Sequence, residues 1–358
     1  MKPEVLSTIY AESVAKRKLP VNFNNDDLSL FEGELERVIP ESRLLKFRDV
    51  SASPEGLLFV GATILRESFA FPYHLDEWRW RSKFKFLVKS YALRRRRKIE
   101  REALWITDYW STGYFHWLSD VLMRLFGFRD QVRDRVRDLL LVLPGKFEAC
   151  DHVQSSLRAF GVTNVDFIGP DEVVECRSLL MPSHTAPSGH FNREAIRGVR
   201  DVLLSAYGDT VGEEKRLYIT RAKAGRRRII NEDEVTSILR RFGFEMICAE
   251  DLSFEQQVRI FSRARYIVSN HGAGLTNMLF MNDAGSVLEL RHQSDCINNC
   301  YFTLASALDL NYFYQSCTPQ KAADDPHDAH LLVDPLQLEK NLGLLLDSEF
   351  QNGGVSVK

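Results

Sequence analysis

The chain has 358 residues, 44% of them hydrophobic and 27% charged, and carries 47 basic against 49 acidic side chains. That is ordinary globular composition, too long for one hydrophobic core, so two domains of roughly 150 residues are expected. The formal charge of −2 names no partner. The start, "MKPEVLSTIYAESVAKRKLP", has no continuous apolar stretch, and no later segment offers about 18 uninterrupted apolar residues. The expectation is therefore a cytoplasmic protein without a membrane span.

From Arg43 to Phe69, "RLLKFRDVSASPEGLLFVGATILRESF" has two apolar or alternating runs around "SPEG" and reads as a hairpin or small meander. Between Arg79 and Arg101 stand eleven Lys or Arg and one acid, interleaved with Trp80, Phe84, Phe86, Leu87, Val88 and Tyr91. Such a stretch is a solvated helix face, a helix lying on an anionic membrane surface, or a grip on phosphates. No nucleic-acid motif accompanies it.

After the basic stretch, strands and helices alternate. "ALWITD", "LLLVLP", "VDFIG" and "ECRSLLMPS" read as strands, "GYFHWLSDVLMRLF" and "EACDHVQSSLRAFG" as helices, and a further helix is expected over 193–207. The cluster "GDTVGEEK" then breaks the pattern. This places an N-terminal lobe at 1–207, a linker at 208–215 and a C-terminal lobe at 216–358, ending in the frayed tail "NGGVSVK". In the second lobe, "RLYITR", "FEMICAE", "YIVSN" and "SVLEL" read as strands. Asn231 with Glu234, and Ser253 with Gln256, read as helix caps. Helices between such strands require parallel pairing and right-handed crossovers, a Rossmann-like sheet.

The stretch "SNHGAGLTNMLFM", Ser269 to Met281, then falls at the carboxyl end of a strand and the start of a helix, where open α/β sheets bind ligands. Free N–H groups there favour an anion, Gly272 and Gly274 let backbone approach it, and His271 adds a donor. Arg221 ends "LYIT" in the same way, ahead of the basic loop Lys223 to Arg228. His116 and Asp120 stand four apart on a helix, with Arg124 a step further along, so they share a face that can abstract a proton.

The segments "YITRAKAGRRRIINEDEV", "FGFEMICAEDLSFEQQVRIFSRARYIVSNHGAGLTNMLFM" and "GSVLEL", in this order and with "YFHWLSDVLMRL" upstream, resemble glycosyltransferase family 61 from about Asp108 to Leu290. The resemblance implies an inverting, nucleotide-sugar-dependent enzyme of GT-B architecture, with two Rossmann-like lobes facing a cleft after a small strand-rich N-terminal segment. It implies one donor diphosphate site from Arg221 and the bend His271, Gly272, Ala273 and Gly274, with further phosphate contacts from Arg226, Arg227 or Arg228. Glu289, a lone carboxylate in an apolar strand, is expected to hold the nucleoside, with Asn277 beside it. Asp120 is expected to be the base, with His116 orienting or binding substrate. The implied donor is a UDP-sugar and the acceptor a glycan hydroxyl, in a setting like that of bacterial capsule or surface-polysaccharide members; a lipid-linked acceptor would give the basic, aromatic stretch 79–101 a use at the membrane surface.

No metal is expected. The stretch "DDPHDAH", with Asp325, His327, Asp328 and His330, reads as solvated turn residues. The six cysteines, Cys150, Cys176, Cys248, Cys296, Cys300 and Cys317, form no C-x-x-C pair and read as buried free thiols. A dinucleotide-dependent oxidoreductase shares the fold class but needs a G-x-G-x-x-G turn that is missing. A non-catalytic module binding nucleic acid or an anionic surface leaves the ordered motifs of the second lobe unexplained.

Overall fold

The computed structural model describes residues 2–71, 73–132, 139–209, 211–321 and 325–347. The tail "NGGVSVK" and Thr210 of the expected linker lie outside the described residues. The protein is α/β, and its chain forms two compact units. One comprises the residues up to Val14 with Val38–Leu203, the other Ala15–Arg37 with the residues from Leu204 on. The chain crosses from the first unit to the second inside the helix Arg193–Tyr207.

The first unit is built on a mixed sheet. Its strands lie in the order Val165–Ile168, Leu140–Pro144, Ala103–Leu104, Glu172–Pro182, Ser42–Ala52, Leu58–Val60 and Thr63–Ile64. The first four pair in parallel, whereas Ser42–Ala52 runs antiparallel to Glu172–Pro182, to Glu4–Tyr10 and to Leu58–Val60. The antiparallel half is the meander expected around "SPEG". Gly56, at φ +91°, and Gly61, at φ +54°, supply the left-handed residues that its tight turns require. This half departs from a purely parallel Rossmann-like layer, because two-residue turns can join only antiparallel neighbours. Trp105, Val142, Val174 and Leu179 are buried together in a core cluster that the strands of this sheet supply.

In the second unit the strands lie in the order Glu245–Ile247, Lys215–Ile219, Ala264–Asn270, Ser286–His292 and Asn311–Pro319, all parallel. A short strand, Leu331–Leu332, closes the row antiparallel to the last of these. Numbered along the chain, the parallel strands run 2-1-3-4-5, a doubly wound sheet whose order reverses between Lys215–Ile219 and Ala264–Asn270. Ser286–His292 is buried along its whole length, as a central parallel strand covered on both faces must be.

Two local readings are corrected. Ser253 does form a capping box with Gln256, but Asn231 does not cap its helix. Its amide is tied to Val333 instead, Nδ2 donating to the Val333 carbonyl at 2.9 Å and Oδ1 accepting from its N–H at 3.1 Å. After the bend, Ala273–Phe280 coils as a 3₁₀ helix rather than an α-helix. It is apolar and buried from Leu275 to Phe280, packed against the helices Phe254–Phe261 and Cys300–Ala307, where a tighter coil places side chains in contact all round. All six cysteines are free, yet only Cys176 and Cys317 are buried, and Cys296 is exposed.

Residues 15–37 form a strap on the second unit that no periodicity announces. Phe31 is fully buried, with its ring edge-on to Phe302, Tyr312 and Tyr314 at 5.1, 6.3 and 4.9 Å. Asn22 brackets Tyr314 with two backbone hydrogen bonds, and Tyr314 Oη donates to Asp27 at 2.6 Å. Phe31→Ala removes the anchor of the strap, with an expected loss of about 3–5 kcal/mol in unfolding free energy. A urea midpoint within error of wild type would show that the strap contributes nothing to the fold.

Candidate functional site

At the order reversal of the second sheet the carboxyl ends of Lys215–Ile219 and Ala264–Asn270 lie side by side. Arg221 follows the first strand, and the bend His271–Gly272 follows the second. The Arg221 guanidinium lies over Gly272, where a Cβ would sit 2.1 Å from its Nη1. The glycine leaves room for the arginine, which a side chain there would push aside. Gly274 serves packing, because a Cβ there would come within 2.9 Å of Ile219.

Of the three consecutive arginines, only Arg227 turns inward. Arg226 is exposed and pairs with Asp328 at 3.0 Å, and the backbone of Arg228 donates to His330 Nδ1 at 3.1 Å. Arg227 is half-buried and held at φ +54°, a left-handed conformation that costs a bulky residue of order 1–3 kcal/mol. The fully buried Asn270 holds it there by donating its side-chain amide to the Arg227 carbonyl. Arg221 and Arg227 make no ion pair among the described residues. Burial, reinforced by the neighbouring charge of Arg227, pushes the Arg221 pKa down. Two guanidinium groups in mutual repulsion at a switch point constitute a site that an anion would relieve.

Behind them, His271 Nδ1 donates to Glu289 Oε1 at 2.5 Å, and Tyr312 Oη donates to Glu289 Oε2 at 2.5 Å. Glu289 is fully buried. Burial alone would raise its pKa, but the charge and hydrogen bond of His271, the charge of Arg291 and the Tyr312 hydroxyl outweigh it and hold the carboxyl below its usual range. Both oxygens that the sequence offers to a ribose are thus engaged with His271 and Tyr312. The His271 ring also stands edge-on to Tyr301 at 4.9 Å. Asn277 is fully buried, with Nδ2 donating to Gln257 Oε1 at 2.9 Å. Arg291, beneath Glu289, is fixed by Asn299 at 2.9 Å and lies 5.1 Å from the Phe31 ring.

In the first unit, the helix that starts at Tyr114 is interrupted at Trp117–Val121 by a π-helical turn before continuing as Leu122–Val132. Such turns recur at functional sites. Across it, His116 Nδ1 and Asp120 Oδ2 are 2.8 Å apart, and Ser188 Oγ donates to Asp120 Oδ2 at 2.8 Å. The side chain of Asp120 is 3% exposed and that of His116 25%, so the imidazole is the accessible member. Burial lowers the His116 pKa, but the hydrogen bond and charge of Asp120, with the charge of Asp108, raise it above its usual value. Leu118, Leu122 and Leu125 are fully buried and anchor the other face.

Arg124, expected on the same polar stripe, is fully buried. Its Nε donates to the Pro182 carbonyl at 2.8 Å and its Nη1 lies 4.0 Å from Asp108. Burial lowers its pKa to about 10. His184 Nε2 is 2.9 Å from the same Asp108 carboxylate. Sequence reasoning did not find Asp108, His184, Ser188, Tyr301, Tyr312 or Asn270. Of these only Asp108 and Asn270 left a signal, a polar residue closing an apolar strand.

Among the described residues no three His, Cys, Asp or Glu side chains stand together in a way that could hold a metal ion. In "DDPHDAH", Asp328 and His330 engage the arginine loop as given above, and Asp325 Oδ1 accepts from the His327 N–H at 2.8 Å.

A doubly wound parallel sheet with arginines and a glycine bend at its switch point defines a class, the open-sheet α/β proteins. Residues 114–288 match the family model Glycosyltransferase 61. The similar proteins include the EGF domain-specific O-linked N-acetylglucosamine transferases of Mus musculus, 34% identical over 91 residues, and of Drosophila melanogaster, 32% over 89. That of Bos taurus is 33% identical over 91 residues. Each alignment covers 24% of this chain and 17% of the relative, so the match spans under a fifth of the relatives' length.

The raised pKa of His116 fixes the sign of a pH effect. A histidine whose folded-state pKa is raised contributes stability that is complete below its unfolded value, about 6.5, and lost as pH rises through the folded value. The stability difference between wild type and His116→Gln should therefore be larger at acid than at alkaline pH in parallel urea titrations. A difference that grows with pH would contradict the assignment.

Proposed function

We propose that this chain is an inverting glycosyltransferase that moves a sugar from a nucleotide donor, with UDP as carrier, to a hydroxyl of a glycan. The observation that carries the reading is the arginine pair at the switch point of the second sheet, within the residues that match glycosyltransferase 61, with Arg221 laid over Gly272 and neither arginine in an ion pair among the described residues. A diphosphate is the ligand of matching charge and reach, and arginines engage it bidentately. As the bond from the anomeric carbon to the diphosphate oxygen breaks, its electron pair and growing charge pass to the leaving group, which Arg221 and Arg227 stabilise. This cationic cradle needs no metal ion. His271, fixed by Glu289, adds a donor, while Glu289 and Asn277 support the site from within.

The acceptor hydroxyl must lose its proton as its oxygen attacks the anomeric carbon. In this reading His116 is the base: Nδ1–H donates to Asp120, which leaves the lone pair of Nε2 to take the proton. Asp120 orients and supports the charge that results, the reverse of the roles drawn from the sequence. The same reading places the two units in a GT-B arrangement, the second serving the donor and the first the acceptor. N-acetylglucosamine, which the relatives' names carry, is the first sugar to try. A lipid-linked acceptor in bacterial capsule or surface-polysaccharide assembly at the inner face of the membrane completes the proposal.

UDP at about 100 times its dissociation constant should stabilise the folded protein by roughly 2.7 kcal/mol. Arg221→Ala should abolish the thermal shift, and a shift with NAD but not UDP would refute the donor site. The acid limb of the kcat/KM profile separates the two candidate bases. A limb above pH about 6.5 that Asp120→Asn moves downward identifies His116, whereas a limb near pH 4 returns the role to Asp120.

A further inference from the structure

The basic stretch 79–101 is not one element, and its charges divide into two kinds. Trp80–Val88 is an α-helix, Lys89–Leu93 a π-helical turn and Arg95–Ile99 a strand. The arginines of the second half are engaged in the fold. Arg94 donates to Glu55 at 2.7 Å, Arg96 to Glu175 at 2.5 Å and Arg97 to Asp166 through both Nη at 2.6 and 2.8 Å. The cations of the first half are different. Arg79, Arg81, Lys83 and Lys85 form no ion pair among the described residues, and no acidic residue stands between Arg79 and Leu93.

The helix is amphipathic in an unusual sense, because both of its apolar faces are real but only one is covered. Phe86 packs inward, edge-on to Phe59 at 5.3 Å, in a cluster with Leu57, Phe69 and Val173. Trp80, Phe84 and Val88, at i, i+4 and i+8, form a second stripe that faces outward, and Leu93 extends it past the turn. Trp80 is 70% exposed, Phe84 61% and Leu93 73%. Large apolar side chains in such a row do not remain in water without a purpose.

We infer that this face docks on an anionic lipid surface. The stripe would enter the boundary between headgroups and acyl chains, and the flanking Arg79, Arg81, Lys83 and Lys85 would meet lipid phosphates, their aliphatic stems lying along the apolar row. Four cations with no ion pair among the described residues match a negative leaflet. The aliphatic members of the stripe decide between partners. Val88 and Leu93 gain by burial among acyl chains and offer a nucleic acid no stacking face. The inference is independent of the transferase reading, and its test requires no turnover.

Sedimentation of the whole chain with phosphatidylcholine vesicles, with and without phosphatidylglycerol, tests it. Wild type should pellet with the anionic vesicles only, and less so at high salt. Trp80→Ala with Phe84→Ala, and separately Arg81→Ser with Lys85→Ser, should each weaken binding at least about tenfold while leaving the thermal midpoint unchanged, since all four side chains point to solvent. The inference is overturned if wild type ignores anionic vesicles, if both double variants bind as wild type does, or if a single-stranded oligonucleotide binds in preference to the vesicles at the same salt.

Discussion

Two arginines at the switch point mark the second unit: Arg221 and Arg227 form no ion pair among the described residues, and burial together with the charge of Arg227 pushes the Arg221 pKa down. Such an arrangement survives only where the surrounding structure over-determines it. Here the sheet order ends two strands side by side, Gly272 leaves space for Arg221, and Asn270 clamps the backbone of Arg227. Behind that layer, the negative charge that would quench the pair is withheld. Glu289 lies one strand further on, committed to His271 and Tyr312.

The same logic differs in the first unit, where charge is compensated rather than withheld. Asp120 accepts from His116 and Ser188, and Asp108 lies beside Arg124 and His184. A histidine backed by a buried carboxylate and opening to solvent on its other side is suited to taking a proton. An arginine pair without an acid is suited to holding an anion. The two units thus carry complementary chemistry on separate scaffolds, one a mixed sheet and the other a doubly wound one.

Much of the second sheet was legible in the sequence, because central parallel strands such as Ala264–Asn270 and Ser286–His292 are buried on both faces and carry apolar cores, "YIV" and "VLEL", between turn residues. Helix Arg193–Tyr207 was legible through its periodicity. The strap 15–37 was not, because one ring, Phe31, and a few side-chain-to-backbone bonds hold it, and none of these has a period. The bend and Arg221 could be found as strand ends. Which of Arg226, Arg227 and Arg228 matters could not, since that depends on Asp328 and Asn270, distant in sequence. Glu289 was recognised as an anomaly, but its partner Tyr312 lies on the next strand and no spacing connects them. In the stretch 79–101 the run of charge was plain, while its division into paired and unpaired halves is a tertiary fact.

The left-handed backbone of Arg227 carries a consequence for how this position can drift. Glycine adopts that conformation freely, so every step away from arginine toward glycine relaxes the loop at the expense of the charge it presents. Backbone ease and positive charge are set against each other at a single codon. A lineage or a laboratory population kept only for a durable fold would be expected to surrender this arginine early, well before it lost the buried residues around it.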